Sequence, residues 1–292
     1  ANKEIERELS GASIASAAGL RWKAMASGKL TSTLKIEPPG TRTLGADRAG
    51  PWRIALAHYP AGNGLCWHAH EHASFHLTVR GASRERYWKV NRGKLSGTAQ
   101  YYAPGVGHET EFGPGGAVVL HAVCDGEHTA GAQVLAEPDP RPMLAAWRAM
   151  GRGDGASLLE LEAACAELAP SLIGGGQSES STPGWALRIR QRLFECPEDV
   201  PGLDELAGDA GVHPAHLART FRERFGRTIG SFARIRRLQI AADALVTTRL
   251  PIAAIALDAG FCDQSHFGRA FAEHYGTTPR RFRETLGRGP LH

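Results

Sequence analysis

The sequence has little cysteine or methionine, with five and three among 292 residues. Cys66, Cys124, Cys165, Cys196 and Cys262 are odd in number, scattered, and form no Cys-x-x-Cys. Neither a disulfide framework nor a thiolate zinc site is expected, and the cysteines read as small apolar fillers in a reducing compartment. No apolar run approaches the roughly 18 residues that a membrane span needs. The opening Asn2-Lys3-Glu4-Ile5-Glu6-Arg7-Glu8 is charged and carries no secretory apolar core, so the expectation is a soluble, cytoplasmic chain with no membrane partner. Lysine is absent from Gly184 onward. With 42% hydrophobic and 22% charged residues, the composition excludes a wholly disordered or fibrous chain.

Glycine, by contrast, is plentiful: 35 residues of 292, about 12% against a usual value near 7%. Its distribution divides the chain, whose length already suits two domains. Residues 1 to about 30 are rich in Ala and Ser and suggest a helical extension. From Thr31 to Ala136 short strand-like runs appear, among them Trp52–Tyr59, Ser74–Arg80, Arg84–Val90 and Ala117–Cys124. Clusters such as Pro38-Pro39-Gly40, Gly62-Asn63-Gly64 and Gly113-Pro114-Gly115-Gly116 separate them. That texture predicts a β-sandwich or small barrel. After Pro138 the pattern turns helical, with Met143–Met150 and Ser157–Leu168, and residues 174–184 have linker composition. The expected division is a sensing domain over 1–138, a helical dimerisation segment over 139–170, a linker over 171–184 and a helical DNA-binding domain over 185–292.

The net charge of +4 falls wholly in the last part: Gly184 to His292 holds 16 arginines against 12 carboxylates. A polyanionic partner is the expectation. The same segment repeats itself. Leu217-x-Arg219-x-Phe221-x-Glu223-x-Phe225-Gly226-x-Thr228 recurs 50 residues on as Phe267-x-Arg269-x-Phe271-x-Glu273-x-Tyr275-Gly276-x-Thr278. Ala207 and Gly211 upstream correspond to Ala256 and Gly260.

Each copy has the physics of a helix-turn-helix. The alanine lets two helices cross closely, and the glycine supplies the left-handed turn between them. Leu217, Phe221 and Phe225 make an apolar face at i, i+4 and i+8, as Phe267, Phe271 and Tyr275 do in the second copy. Asp263 suits a helix cap, and Pro214 suits a first helical turn. The faces expected outward are His213, Ala215, His216, Arg219 and Arg222 in one copy and Gln264, Ser265, His266 and Arg269 in the other. Arg and Gln can read guanine and adenine edges in the major groove of double-stranded DNA. A helix from Ile229 to Thr248, about 30 Å long, is expected to space the copies roughly one DNA turn apart.

The stretch Asp258-Ala259-Gly260-Phe261-Cys262-Asp263-Gln264-Ser265-His266-Phe267-Gly268-Arg269-Ala270-Phe271, with Tyr275-Gly276-Thr277-Thr278-Pro279 after it, resembles the signature of the AraC/XylS family of bacterial transcription regulators. The resemblance covers about 100 residues. It implies a promoter or operator as partner, RNA polymerase as a second, and a homodimer. Copy one departs from the family pattern, with His213-Pro214 where a serine cap is usual.

Histidines mark the other half. His68 and His70 point the same way on a strand, and His108 from a neighbour completes a facial set able to hold a divalent metal, with His76 nearby. The spacing Gly62-x5-His68-x-His70, followed by Pro104-Gly105-x-x-His108, resembles the cupin motifs. It implies a cupin-like β-barrel or jelly roll before the helical domain, an α+β multidomain architecture overall. Ser74 stands where cupin enzymes place a glutamate ligand, with Glu71 close in sequence. His121, set in an apolar run, reads as a hydrogen-bonded strand histidine. Trp52, Tyr59, Trp67, Tyr87, Trp88 and Tyr101 read as aromatic core or pocket wall. The segments Met143–Met150 and Ser157–Leu168 either dimerise, as the family resemblance implies, or close the barrel. Together these readings predict a non-enzymatic regulator whose barrel senses a small-molecule or metal effector; the alternative is a cupin metalloenzyme with a fused helical domain.

Overall fold

The computed structural model describes residues 40–87, 90–125, 135–136, 138–150, 155–168 and 182–287. The N-terminal helical extension, the linker over 171–181, Trp88 and the side chain of Tyr87 lie outside the described residues. The described strands are β1 (Arg42–Ala49), β2 (Trp52–Tyr59), β3 (Gly64–Ala69), β4 (Ser74–Tyr87), β5 (Val90–Lys94), β6 (Ala99–Tyr102), β7 (Gly107–Cys124) and β8 (Leu135–Ala136). They form an antiparallel sheet in the order β1-β2-β7-β4-β6-β8, with β3 paired to β7 and β5 to β4. The expectation of an antiparallel sheet domain followed by a helical one holds.

Two strands run longer than the sequence suggested. β4 carries straight through from Ser74 to Tyr87, and β7 continues through Gly113-Pro114-Gly115-Gly116, the cluster read as a separator. Both bend there. The β4–β7 register shifts between Thr78 and Arg80 and again between Gly81 and Ser83. Gly81 (φ +86°) and Gly116 (φ +68°) abut at the corner, where a Cβ on Gly81 would collide with the Gly116 carbonyl. The corner also reverses parity. In β7, His108, Thr110 and Phe112 share the inner face with Val119 and His121 beyond the bend; in β4, His76 and Thr78 share it with Ser83 and Glu85. A flat strand with period two would split each set across both faces. Bulge and glycine therefore curl the sheet so that both halves of each long strand enclose one space.

The largest apolar core lies outside that space. Ile54, Leu56, Phe75, Leu77 and Leu120 project from the opposite face into helices α1 (Pro140–Met150) and α2 (Gly155–Leu168), which bring Met143, Leu144, Trp147, Leu161 and Leu168. Both helices thus cover the sheet. Trp52 and Tyr101 belong to this outer core, whereas Tyr59 faces inward, stacked on Phe112 at 4.4 Å, and the Trp67 ring lies against Gly107. The cysteines are free; Cys124 and Cys165 are buried fillers, but Cys66, Cys196 and Cys262 are exposed, contrary to the apolar-filler expectation for those three. Cys196 and Cys262 sit at the starts of exposed connections, where no core is at hand.

The helical half comprises α3 (Gly184–Glu195), α4 (Leu203–Ala210), α5 (Pro214–Phe225), α6 (Ile229–Thr247), α7 (Ile252–Asp258), α8 (Gln264–Tyr275) and α9 (Pro279–Gly287). The α4–α5 and α7–α8 pairs are the two helix-turn-helix copies, each turning at a left-handed glycine, Gly211 (φ +66°) and Gly260 (φ +77°). In the first copy Leu206, Ala207, Leu217 and Phe221 pack with Ile189 and Leu193 of α3 and Ala233 of α6 as a core of their own. In the second, Ala256, Phe261, Phe267, Phe271 and Tyr275, with Phe282 of α9, are continuous with the outer core of the sheet. Among the described residues no helix is long and apolar enough to cross a membrane.

Candidate functional site

The second helix of each copy begins at a side-chain cap. Asp263 accepts the His266 amide at 2.7 Å. In the first copy His213 does the equivalent work: its Nδ1 accepts the Ala215 amide at 3.2 Å, with Pro214 in the first turn. The sequence departure is therefore a working cap, since an imidazole nitrogen supplies the acceptor that a serine hydroxyl would. His213, Ala215, His216, Arg219 and Arg222 are all exposed on α5 and its cap, as are Gln264, Ser265, His266 and Arg269 on α8. The buried positions Leu217, Phe221, Phe267 and Phe271 fix which face is left open. The His266 ring turns toward Cys262, with Nδ1 and Sγ 3.1 Å apart, and the His216 ring lies 6.1 Å from Trp185. The side chains of Arg219, Arg222 and Arg269 form no hydrogen bond or ion pair with other described residues, leaving three guanidinium groups aimed at solvent.

Other arginines are committed inward, which charge counting alone missed. Arg236 stacks on Phe194 at 3.7 Å and donates to its carbonyl, Arg190 lies over Phe225, Arg237 donates to the Gly260 carbonyl at 3.0 Å, and Arg283 donates to Leu245 and Leu250. Part of the arginine excess is thus architectural: stacking and multiple donors suit guanidinium to this use and not lysine.

Sheet register builds the histidine site. β3–β7 pairing sets His68 opposite His108, and β4–β7 pairing sets His76 opposite His121. His68, His70 and His108 offer ring nitrogens within 4.8 Å of one another. His76 lies one ring further in, 5.2 Å from His70 and 4.2 Å from His121 between centroids. His68 Nδ1 is 2.8 Å from the Cys66 carbonyl and His108 Nδ1 is 3.3 Å from that of Val106. A proton on each Nδ1 satisfies those carbonyls and leaves Nε2 with its lone pair. His70 Nε2 is buried with no hydrogen-bond partner among the described residues. Burial, then the neighbouring His108 and His68, holds His70 well below the ordinary imidazole range; burial and His68 bring His108 down to about 4. Burial likewise brings His121 down to about 4, its Nε2 3.1 Å from the Tyr59 hydroxyl. Each of these shifts favours the neutral ring with a lone pair free for a ligand. Three imidazoles on one side of a cavity fit a divalent first-row metal.

Ser74, read as standing in the place of an acidic ligand, is buried, its hydroxyl without a hydrogen-bond partner among the described residues, and Glu71 is exposed. The acid comes from elsewhere. Glu85 on β4 is buried with Lys94 and Tyr102, each hydrogen-bonded to the others. Burial would raise the Glu85 carboxyl, but the Lys94 ammonium and the two hydrogen bonds hold it below its ordinary value. Charged residues in alternating strands read as solvated faces, and Glu85 stands an odd step from His76, so nothing in the sequence marked this trio. Tyr102 links it to the histidines, 4.7 Å from His108 and 5.0 Å from His70. The cavity is partly open and measures about 60 Å³. That is far below the roughly 300–1,000 Å³ of ordinary small-molecule pockets.

Residues 206–285 match the family model described as a helix-turn-helix domain. Probable transcription factor PqrA of Proteus vulgaris is 42% identical over 82 residues, 28% of this chain and 67% of that protein. Regulatory protein SoxS of Salmonella typhimurium is 38% identical over 103 residues, 34% of this chain and 96% of SoxS. The right origin-binding protein of Escherichia coli is 41% identical over 83 residues, 28% of this chain but only 29% of that protein. The solved structure of ToxT from Vibrio cholerae aligns with 81% of this chain and 98% of its own at 11% identity and a TM-score of 0.36, too slight a likeness to inform the curled sheet. Through its paired helix-turn-helix domain, this chain belongs to the AraC/XylS family of bacterial transcription regulators.

Proposed function

We propose that the chain binds double-stranded promoter DNA through α5 and α8, and that its curled sheet senses a divalent metal ion. The observation that carries the DNA reading is the pair of open helix faces bearing Arg219, Arg222 and Arg269, each exposed and each held by a buried apolar row on the opposite side. His213, Ala215, His216, Gln264, Ser265 and His266 complete the two faces. The observation that supports a metal as effector is the joint one of donor type and room: three imidazoles, an orphaned His70 nitrogen and about 60 Å³. His68, His70 and His108 would hold the ion; His76, Glu85, Lys94 and Tyr102 would surround it. A bound divalent ion supplies charge and a fixed geometry to this wall, and differential affinity for two arrangements of the DNA-binding half is what turns binding into regulation. The regulator reading is preferred to the metalloenzyme one on the helix-turn-helix domain and its regulator relatives. A homodimer in the cytoplasm, acting with RNA polymerase, completes the proposal; helix α2, with Leu159 exposed, is the segment offered for dimerisation.

The test is an anisotropy titration of the full chain on the duplex upstream of its own gene against a scrambled duplex, with and without zinc chloride. Metal content is measured in parallel on wild type and the His68/His70/His108 triple alanine variant. Selective binding that responds to zinc in wild type alone is expected. Equal affinity for both duplexes would overturn the DNA reading, and equal metal content in both proteins would overturn the sensor site.

A further inference from the structure

The sensing cavity and the second helix-turn-helix meet at one short turn. Lys94 ends β5 inside the cavity, and the chain then makes the turn Leu95-Ser96-Gly97-Thr98 before β6. Both ends of the turn are fastened to the cavity wall: Lys94 to Glu85 and Tyr102, and Gly97 and Thr98 to Thr78 through backbone hydrogen bonds of 2.7 and 3.0 Å. Its tip joins the β4 corner to the helices: the Ser96 hydroxyl accepts the Gly81 amide at 3.1 Å. Ser96 is fully buried and donates both its amide (3.2 Å) and its hydroxyl (2.7 Å) to one carboxylate oxygen of Asp243 on α6. Gly97, at φ +84°, is seated so tightly that a Cβ there would lie 3.0 Å from Phe282, 3.2 Å from Ala242 and 3.2 Å from the Tyr275 hydroxyl. Asp243, Tyr275 and Phe282 belong to α6, α8 and α9, the frame of the second copy.

We propose that this turn is a latch through which occupancy of the cavity sets the hold on the second helix-turn-helix. The proposal rests on the metal-sensing reading for its trigger and on the geometry alone for the latch. Tyr102 spans the gap between the two, its ring 4.7 Å from His108 and its hydroxyl bonded to Lys94. A dication among the three imidazoles places two positive charges near an ammonium that is buried, where charges act on each other more strongly than in bulk water. Lys94 is pushed away from its partners, and because Ser96 is only two residues on, the displacement reaches the Asp243 contact directly. Loading the cavity therefore loosens the latch and frees α8 to move relative to α5. A hydrogen bond to a charged group is strong enough for its loss to change local opening by roughly tenfold or more.

Amide hydrogen exchange on the full chain reads this without knowledge of the operator. Zinc chloride is the probe, its binding checked by metal analysis, and the variants are Asp243→Asn, Ser96→Ala and Gly97→Ala, the last a wedge disfavoured by both φ and space. In wild type, zinc is expected to speed exchange over residues 95–98 and 276–287 roughly tenfold while leaving 203–225 unchanged. Asp243→Asn and Gly97→Ala should show that speed without zinc and gain little more with it. If zinc binds and residues 95–98 exchange as before, the coupling is overturned. Should zinc fail to bind wild type, the metal reading falls, and the latch is judged by the variants: faster exchange confined to the second copy sustains it, and exchange equal to wild type in all three overturns it.

Discussion

The two helix-turn-helix copies share a sequence pattern and differ in what they lean on. The first closes its own small core with α3 and α6. The second pours its aromatic row into the core beneath the curled sheet, with α8 packed on α1 and α9 on β4. The repeat therefore specifies a helix pair, and the surroundings decide how independently that pair stands. The second helix of one copy is carried by the helical half alone; that of the other is also part of the core beneath the sheet.

The comparison breaks most sharply in the core. Phe221 and Phe271 are repeat partners and both fully buried. Each change to alanine is expected to cost about 3–5 kcal/mol. Phe271→Ala should weaken the sheet along with the second copy, whereas Phe221→Ala should leave the sheet protected. Denaturant melts followed by hydrogen exchange over β4 and β7 would show whether the losses separate in this way.

Acid should strike the two regions unequally. His108 and His121 lie at about 4 in the folded chain against an unfolded value near 6.5. Between those limits the unfolded chain binds more protons, so stability falls as pH falls, by up to about 1.4 kcal/mol per pH unit for each group. Below about 4 the loss from these two is complete. The metal-free protein is thus expected to lose sheet protection between pH 6.5 and 4.5 while α4 and α5 hold, and a uniform response of both regions would erase the distinction.

On DNA the copies should resemble each other again. Arg219→Ala and Arg269→Ala are each expected to weaken specific binding by about 1–3 kcal/mol if the guanidinium reads a base. A phosphate contact would instead weaken all sequences alike and lower the salt slope by about one unit. Titrations of both variants on specific and scrambled duplexes across salt distinguish these outcomes, and unchanged binding in both would remove the proposed faces.

The smallest effect sharpens the caps. His213→Ala is expected to cost about 0.5–1 kcal/mol and Asp263→Ala slightly more, since a carboxylate at a helix start also meets the helix dipole. Thermal melts of the two variants would order them.

Much of this was readable from residues. The repeat, its glycine turns, the Asp263 cap and the α6 spacer follow from periodicity, because each depends on neighbours within a few positions. The His68, His70 and His108 grouping followed from strand parity and a family resemblance. The rest depended on partners distant in sequence. Glu85, Lys94 and Tyr102 meet only because β4 bends, and Ser96 meets Asp243 across 147 residues. Nor does composition separate the inward arginines, Arg190 and Arg236, from the outward Arg219 and Arg269. A guanidinium stacked on a ring and one facing solvent carry the same charge.

The glycine corner at Gly81 and Gly116 has a meaning for how such a cavity could change. Five positions separate Phe112 from Ala117, an odd step, and that oddness keeps His108 and His121 on the same wall. Removing one residue from Gly113-Pro114-Gly115-Gly116 would leave every imidazole in the sequence and turn one end of β7 inside out. His108 would face solvent while His121 stayed within. What the cavity can hold is thus written in the length of a connection that touches none of its contents, and a lineage could dismantle the imidazole wall by a single deletion without altering one histidine.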